Sequence, residues 1–196
     1  MEVHGAVAIA QPATARDDQY LVALAVGSQD TAAFGELIRR HQSHVRNFLR
    51  KLTGGSIDEA DDLAQECFLH AWDKLQTYSG RGSFIGWLLK VAYTTFLQSK
   101  RKSKRYAEVL DEAGRVADLE SRSYTQDSEE VTDLEKLLAV LTDEERAIMV
   151  MSYACGLSHR EIGEATGLPV GTVKSVIFRG KEKIRNRFDI KDHQHG

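Results

Sequence analysis

Apolar positions recur along the chain at spacings of three and four, never at two. From Thr31 to Leu52 the residues Phe34, Leu37, Ile38, Val45, Phe48, Leu49 and Leu52 form one stripe, which predicts an amphipathic helix. Gly54 and Gly55 end it. Ser56 and Glu59 then stand as an S-x-x-E capping pair. Behind them Ala60, Leu63, Ala64, Cys67, Phe68, Ala71, Trp72 and Leu75 predict a second helix. A polar loop, TYSGRGS at 77–83, separates it from a third helix that begins near Phe84. Its inward positions are Phe84, Leu88, Val91 and Thr95, whereas Lys90, Tyr93, Thr94, Leu97, Gln98 and Arg101 fall on another face. Residues 106–133 carry no sustained stripe and read as a linker. Helices resume at 134–141 and, behind a Thr142…Glu145 pair, at 143–155.

The last segment has its own grammar. Ser158 and Glu161 form a third capping pair and open a short helix that runs to Thr166. Gly167 stands where a left-handed C-cap belongs, and Pro169 pre-sets the next helix start. Ile162, Leu168, Val170, Val173 and Val176 supply a small core, with Gly163 where two helices must approach closely. This pattern predicts a helix-turn-helix whose second helix spans 169–186. Thr172, Lys174, Ser175, Phe178, Arg179, Lys181 and Lys183 lie outside the core set. The early ones are placed to reach base edges and the later cations suit phosphates. The fold class is therefore all-α: two small helical domains joined by an acidic linker, the second containing the helix-turn-helix. The expected boundaries are a tail at 1–16, a domain at 17–105, a linker at 106–133, a domain at 134–188 and a tail at 189–196.

Charge sharpens this picture only once it is partitioned. The net charge of −3 over 196 residues argues weakly against a nucleic-acid partner. Residues 58–66, however, hold five acids and no base, and residues 98–105 hold five bases and no acid. Residues 106–135 carry ten acids against two bases, and 158–187 carry seven bases against three acids. The blocks alternate in step with the elements. Two prolines agree with long helices, and two cysteines, Cys67 and Cys155, provide no disulfide framework. No run approaches the roughly 18–20 apolar residues of a membrane span, so a cytoplasmic chain without direct membrane insertion is expected. His41-x-x-His44 and Cys67-x-x-His70 have ligand-like spacing but sit in or near apolar stripes, where packing is the expected role. His193 and His195 lie in the polar tail. No phosphate loop, dinucleotide fingerprint or nucleophile elbow is present. No enzyme activity, metal, cofactor or small-molecule substrate is expected.

With these elements in place, the chain resembles the ECF (extracytoplasmic-function) sigma factors, promoter-specificity subunits of bacterial RNA polymerase. DEADDLAQECFLHAW at 58–72, FIGWLLKVAY at 84–93, LTDEERAIMVMSYACGLSHREIGEATGLPVGTVKS at 141–175 and FRGKEKIR at 178–185 carry the resemblance in order. It implies that Asp58, Asp61, Asp62, Gln65 and Glu66 bind core RNA polymerase at its β′ clamp region. The resemblance further implies that the 77–83 loop traps a flipped base of the melted −10 strand. Ser79, Arg81 and Ser83 are the loop candidates, and Lys90, Tyr93, Thr94, Gln98 and Arg101 those on the following helix. It assigns −35 promoter DNA to Thr172, Lys174, Ser175, Phe178, Arg179 and Lys181, and adds an anti-sigma factor as a partner. Phe84 and Trp87 are read as core.

Three positions depart from the family pattern: Tyr93-Thr94 where Arg-Asn is common, Gln98 where an Asp is frequent, and Val176 in place of an Arg. The acidic stretch, about 30 residues at roughly 3.3–3.6 Å each, can reach about 100 Å. Two DNA turns measure about 70 Å, so one chain can hold both elements. The alternative is a stand-alone helix-turn-helix regulator with a ligand-binding or dimerising helical domain.

Overall fold

The computed structural model describes residues 13–112 and 133–188, with side chains over 18–109 and 133–188. Both tails and most of the expected linker lie outside the described residues. Among the described residues there is no strand. The helices are α1 (Ala13–Gly27), α2 (Thr31–Leu52), α3 (Ile57–Lys74), α4 (Phe84–Glu112), α5 (Asp133–Leu138), α6 (Asp143–Tyr153), α7 (His159–Thr166) and α8 (Val170–Phe188). A single 3₁₀ turn, Leu75–Thr77, leads from α3 into the loop.

Local signals place most of these ends. Asp30 caps α2 by accepting from the amides of Ala32 and Ala33 at 2.9 and 3.1 Å. Gly54 and Gly55 turn the chain out of α2 with φ of 68° and 94°, a left-handed run closed to most L side chains. Both later capping boxes close reciprocally, Thr142 with Glu145 and Ser158 with Glu161. At the first, only half forms. Ser56 accepts from the Glu59 amide at 3.3 Å, while the Glu59 carboxylate turns 4.0 Å away to Lys100.

Helix α4 corrects one boundary. It continues through 106–112, past the expected start of the linker, because an alternation of basic and acidic side chains is no obstacle to an already nucleated helix. One helix is absent from the sequence reading altogether. Helix α1 has no clean stripe, yet Val22 and Ala25 are buried against the domain. Asp18, 6% exposed, is held there by His41 Nε2 at 2.8 Å and Arg40 Nη1 at 3.3 Å from α2. Tertiary partners, not helical periodicity, position it.

Helices α1–α4 form one helical part around Leu37, Val45, Phe48, Leu49, Leu88, Leu89 and Phe96. Helices α5–α8 form a second around Ile148, Met151, Ile162 and Val173. The two parts are not separate beads: α6 packs on α2 and α7 packs on α4, so the buried cluster runs through both. Arg146, 3% exposed, sits at that junction. It donates to the carbonyls of Leu138 and Leu141 within its own part, at 3.1 and 3.4 Å, and to Leu52 at the end of α2, at 3.4 Å.

Candidate nucleic-acid interface

Three surfaces gather the residues singled out by sequence. On α3 the apolar stripe Ala60, Leu63, Ala64, Cys67 and Ala71 is buried. The helical period therefore turns Asp58, Asp62, Gln65 and Glu66 outward together, all exposed. Leu69 lies exposed on the same helix, an apolar side chain beside the acids that sequence reading passed over. Asp61 is half-buried at the flank and paired with Arg46 Nε of α2 at 2.9 Å.

At the second surface the 77–83 loop is braced from behind by aromatic rings. Tyr78 and Trp87 lie 5.5 Å from Phe84, and Phe84 stacks on His41 at 5.4 Å. Phe84 is buried, as expected of core. Trp87 is half-buried at the loop, its indole N–H donating to Thr77 Oγ1 at 3.3 Å. Tyr78 donates to the Gly82 carbonyl at 3.1 Å, and Gln19 of α1 donates to Gly80 at 3.3 Å. Gly80 and Gly82 both have positive φ, 71° and 78°, so the tip needs glycine there. Ser79 and Arg81 point to solvent and Ser83 is half-buried. Along α4, Lys90, Gln98 and Arg101 are exposed, while Thr94 is half-buried and turns its hydroxyl to the Lys90 carbonyl at 2.9 Å.

Tyr93 is placed otherwise. It is 5% exposed, and burial pushes its phenol up to about 12, with Glu144 and Asp143 of α6 adding to the rise. The expected outward face of α4 is thus covered at this point by the other half of the chain.

The third surface is the helix-turn-helix. Gly167 adopts φ 78° as the C-cap of α7. A Cβ on Gly163 would lie 2.8 Å from the Leu168 carbonyl, which explains a glycine where the turn crosses the helix. Val173, Val176, Ile177 and Gly180 face the core. Lys174, Ser175, Phe178, Arg179 and Lys181 face solvent, with Thr172 half-buried. Val176 is therefore a packing residue in this chain, and its departure from an Arg removes no side chain from the exposed face. Lys181 lies over the Tyr153 ring at 5.1 Å. Lys183 is committed to Glu145 of α6 at 2.7 Å, a tie between the two helices.

The metal-like pairs have structural partners. His41 engages Asp18, and His70 Nδ1 meets Thr95 Oγ1 at 3.2 Å. Burial pushes the Cys67 thiol up to about 12. No group of three metal-ligating side chains occurs among the described residues.

Comparison with known proteins fits this geometry. Sigma-70 region 2 matches residues 37–106 and Sigma-70 region 4 matches residues 132–184. The chain is 35% identical to ECF RNA polymerase sigma factor SigE of Mycolicibacterium smegmatis over 79% of its length, and spans 61% of that relative. It is 30% identical to SigW of Bacillus subtilis, with 82% of this chain and 90% of SigW aligned. Two helical parts, the second a helix-turn-helix, define a sigma-type protein. This chain belongs to the ECF RNA polymerase sigma factor family. Its fold is shared with the sigma factor RpoE in complex with the anti-sigma factor NepR from Bartonella quintana. That match has a TM-score of 0.64 at 23% identity, covering 81% of this chain and 98% of the other. CnrH in complex with the cytosolic domain of CnrY gives 0.65 at 24%, covering 90% and 99%.

Proposed function

We propose that this chain directs core RNA polymerase to specific promoters as an initiation factor, not a catalyst. Asp58, Asp62, Gln65 and Glu66 form the polymerase-facing surface, with Asp61 at its edge. Five backbone-spaced polar groups on one rigid helix suit a basic partner surface, where charge complementarity sets rate and register. The −10 strand is trapped at the 77–83 loop: Ser79 and Ser83 supply donors, Arg81 and Lys90 supply charge, and the glycines let the backbone approach an unstacked base. Gln98 and Arg101 continue that basic surface along α4. Helix α8 enters the −35 major groove with Thr172, Lys174 and Ser175 at base edges, and Phe178, Arg179 and Lys181 flanking them toward the backbone. An anti-sigma protein is a further expected partner, since similar folds occur in complexes with NepR and CnrY.

The observation that carries this reading is the pairing of an exposed acidic face on α3 with an exposed recognition face on α8. A stand-alone repressor needs only the second. Run-off transcription with core polymerase over a randomised promoter library tests it directly. The expected result is enrichment of templates with two conserved blocks, lost with Asp62→Lys although the variant still folds. Absence of any core binding by the unaltered chain would overturn it.

A further inference from the structure

The loop read as the −10 trap does not face open solvent. A cleft of about 650 Å³ lies between it and the helix-turn-helix, lined on one side by Ser79, Arg81 and Trp87 and on the other by Glu161, Glu164 and Pro169. Ser83 Oγ donates to Glu161 Oε1 at 2.7 Å. The other oxygen of that carboxylate closes the capping box of α7 through the Ser158 amide at 3.0 Å. One side chain thus caps its own helix and occupies a donor of the opposite part. The approach is close because position 86 is glycine: a Cβ there would lie 3.0 Å from Ser83 Oγ and 3.5 Å from Glu161 Oε1. Tyr93 is covered at the same junction, and Arg146 adds its bond to the Leu52 carbonyl.

What is covered is selective. Asp58, Asp62, Gln65 and Glu66 remain exposed, as do Lys174, Ser175, Phe178 and Arg179. Promoter elements about two DNA turns apart cannot be read together while the two parts touch, since that separation is about 70 Å.

We propose that α7 and the 77–83 loop form an intramolecular latch, in which the free chain closes its second part over its own −10 reader and leaves the polymerase-facing and −35 surfaces open. The Glu161 carboxylate stands where a strand would otherwise meet the Ser83 hydroxyl. Binding to core polymerase through the open α3 face precedes opening, and strand capture follows it. This rests on the sigma reading of the loop for its consequence, though the closure itself does not.

A full-length Gly86→Cys/Glu161→Cys chain separates the two. The Gly86 Cβ position lies 4.0 Å from the Glu161 Cβ, within the roughly 3.5–4.5 Å of a disulfide. Oxidised glutathione should cross-link the free chain within one molecule, and much faster than a Gly86→Cys/Lys174→Cys control. Added core polymerase should slow the reaction about tenfold or more, the factor expected when a closed state held by a charge-assisted hydrogen bond is lost. The oxidised chain should bind core yet fail in run-off from the promoter library, with recovery after dithiothreitol. Cross-linking no faster than the control, or equal activity of oxidised and reduced chains, overturns the latch. Failure of every chain to bind core, with fast cross-linking retained, overturns the sigma reading and leaves the closure standing. A second measurement needs no cysteine: Glu161→Ala should speed amide hydrogen exchange over residues 77–87 relative to the unaltered chain. Unchanged exchange there counts against the latch.

Discussion

Single residues show how differently two equally charged side chains are used. Arg179 is exposed on α8 and open to a partner. Arg146 is buried and spends its guanidinium on three backbone carbonyls. Arg179→Ala should leave stability within about 0.5 kcal/mol of the unaltered chain. It should weaken promoter binding, and the log–log salt slope should fall by about 1 if the contact is a phosphate. Arg146→Met should do the reverse. It leaves buried carbonyls without their donor and costs about 2–4 kcal/mol in denaturant unfolding, with core-binding affinity unchanged at saturating folded protein. The cysteines give a third check. Burial pushes Cys67 up to about 12 and Cys155 up to about 11, with Lys51 opposing the rise at Cys155. Thiolate is the nucleophile, so neither residue should be alkylated by iodoacetamide at pH 8 until the chain is unfolded. Rapid native labelling would contradict that burial.

Elements were legible wherever their determinants are local. The capping pairs, the Gly167 stop and the Gly163 crossing were readable because each depends on residues within a few positions. Helix α1 was not, because what fixes it is Asp18 meeting His41 and Arg40 from another helix. Gly163→Ala tests a local determinant. Its Cβ would press on the Leu168 carbonyl at 2.8 Å, backbone that cannot swing aside. A loss of about 1–3 kcal/mol and of −35 binding is expected.

The α6–α8 tie predicts a pH dependence. Burial pushes the Glu145 carboxyl up, but hydrogen bonds from Lys183 and Thr142 outweigh it and hold the group below its ordinary 4.5. The folded state then binds this proton less readily than the unfolded one. Its contribution is present above 4.5 and disappears as pH falls through the lower folded value. Lys183→Met should flatten the acid limb of the stability curve, measured by urea unfolding between about pH 5 and 3.

For the whole molecule, the length of α4 changes the reach of the tether. With α4 ending at Glu112 and α5 starting at Asp133, the connection is residues 113–132, not the thirty residues of acidic composition. At roughly 3.3–3.6 Å each these can span at most about 70 Å, close to two DNA turns and without slack. Deleting six residues from 113–132 should therefore abolish run-off from promoters with normally spaced elements. Core binding should persist, and activity should return on templates with a shortened spacer.

By itself the sequence determined the elements, the family and the sign of charge on each surface. Periodicity, capping and block charge are all encoded within a helix turn or two of the residue concerned. That is why Asp62, Gln65, Lys174 and Arg179 were legible as outward-facing. Tertiary structure alone decided what those surfaces face. Tyr93 sits on the outward side of its helix, yet is buried because α6 lies against it. Glu161 was legible as a cap, but not as the partner of Ser83, 78 positions away. A net charge of −3 conceals both facts. Contacts between distant segments depend on how the two parts pack, and no local pattern carries that information.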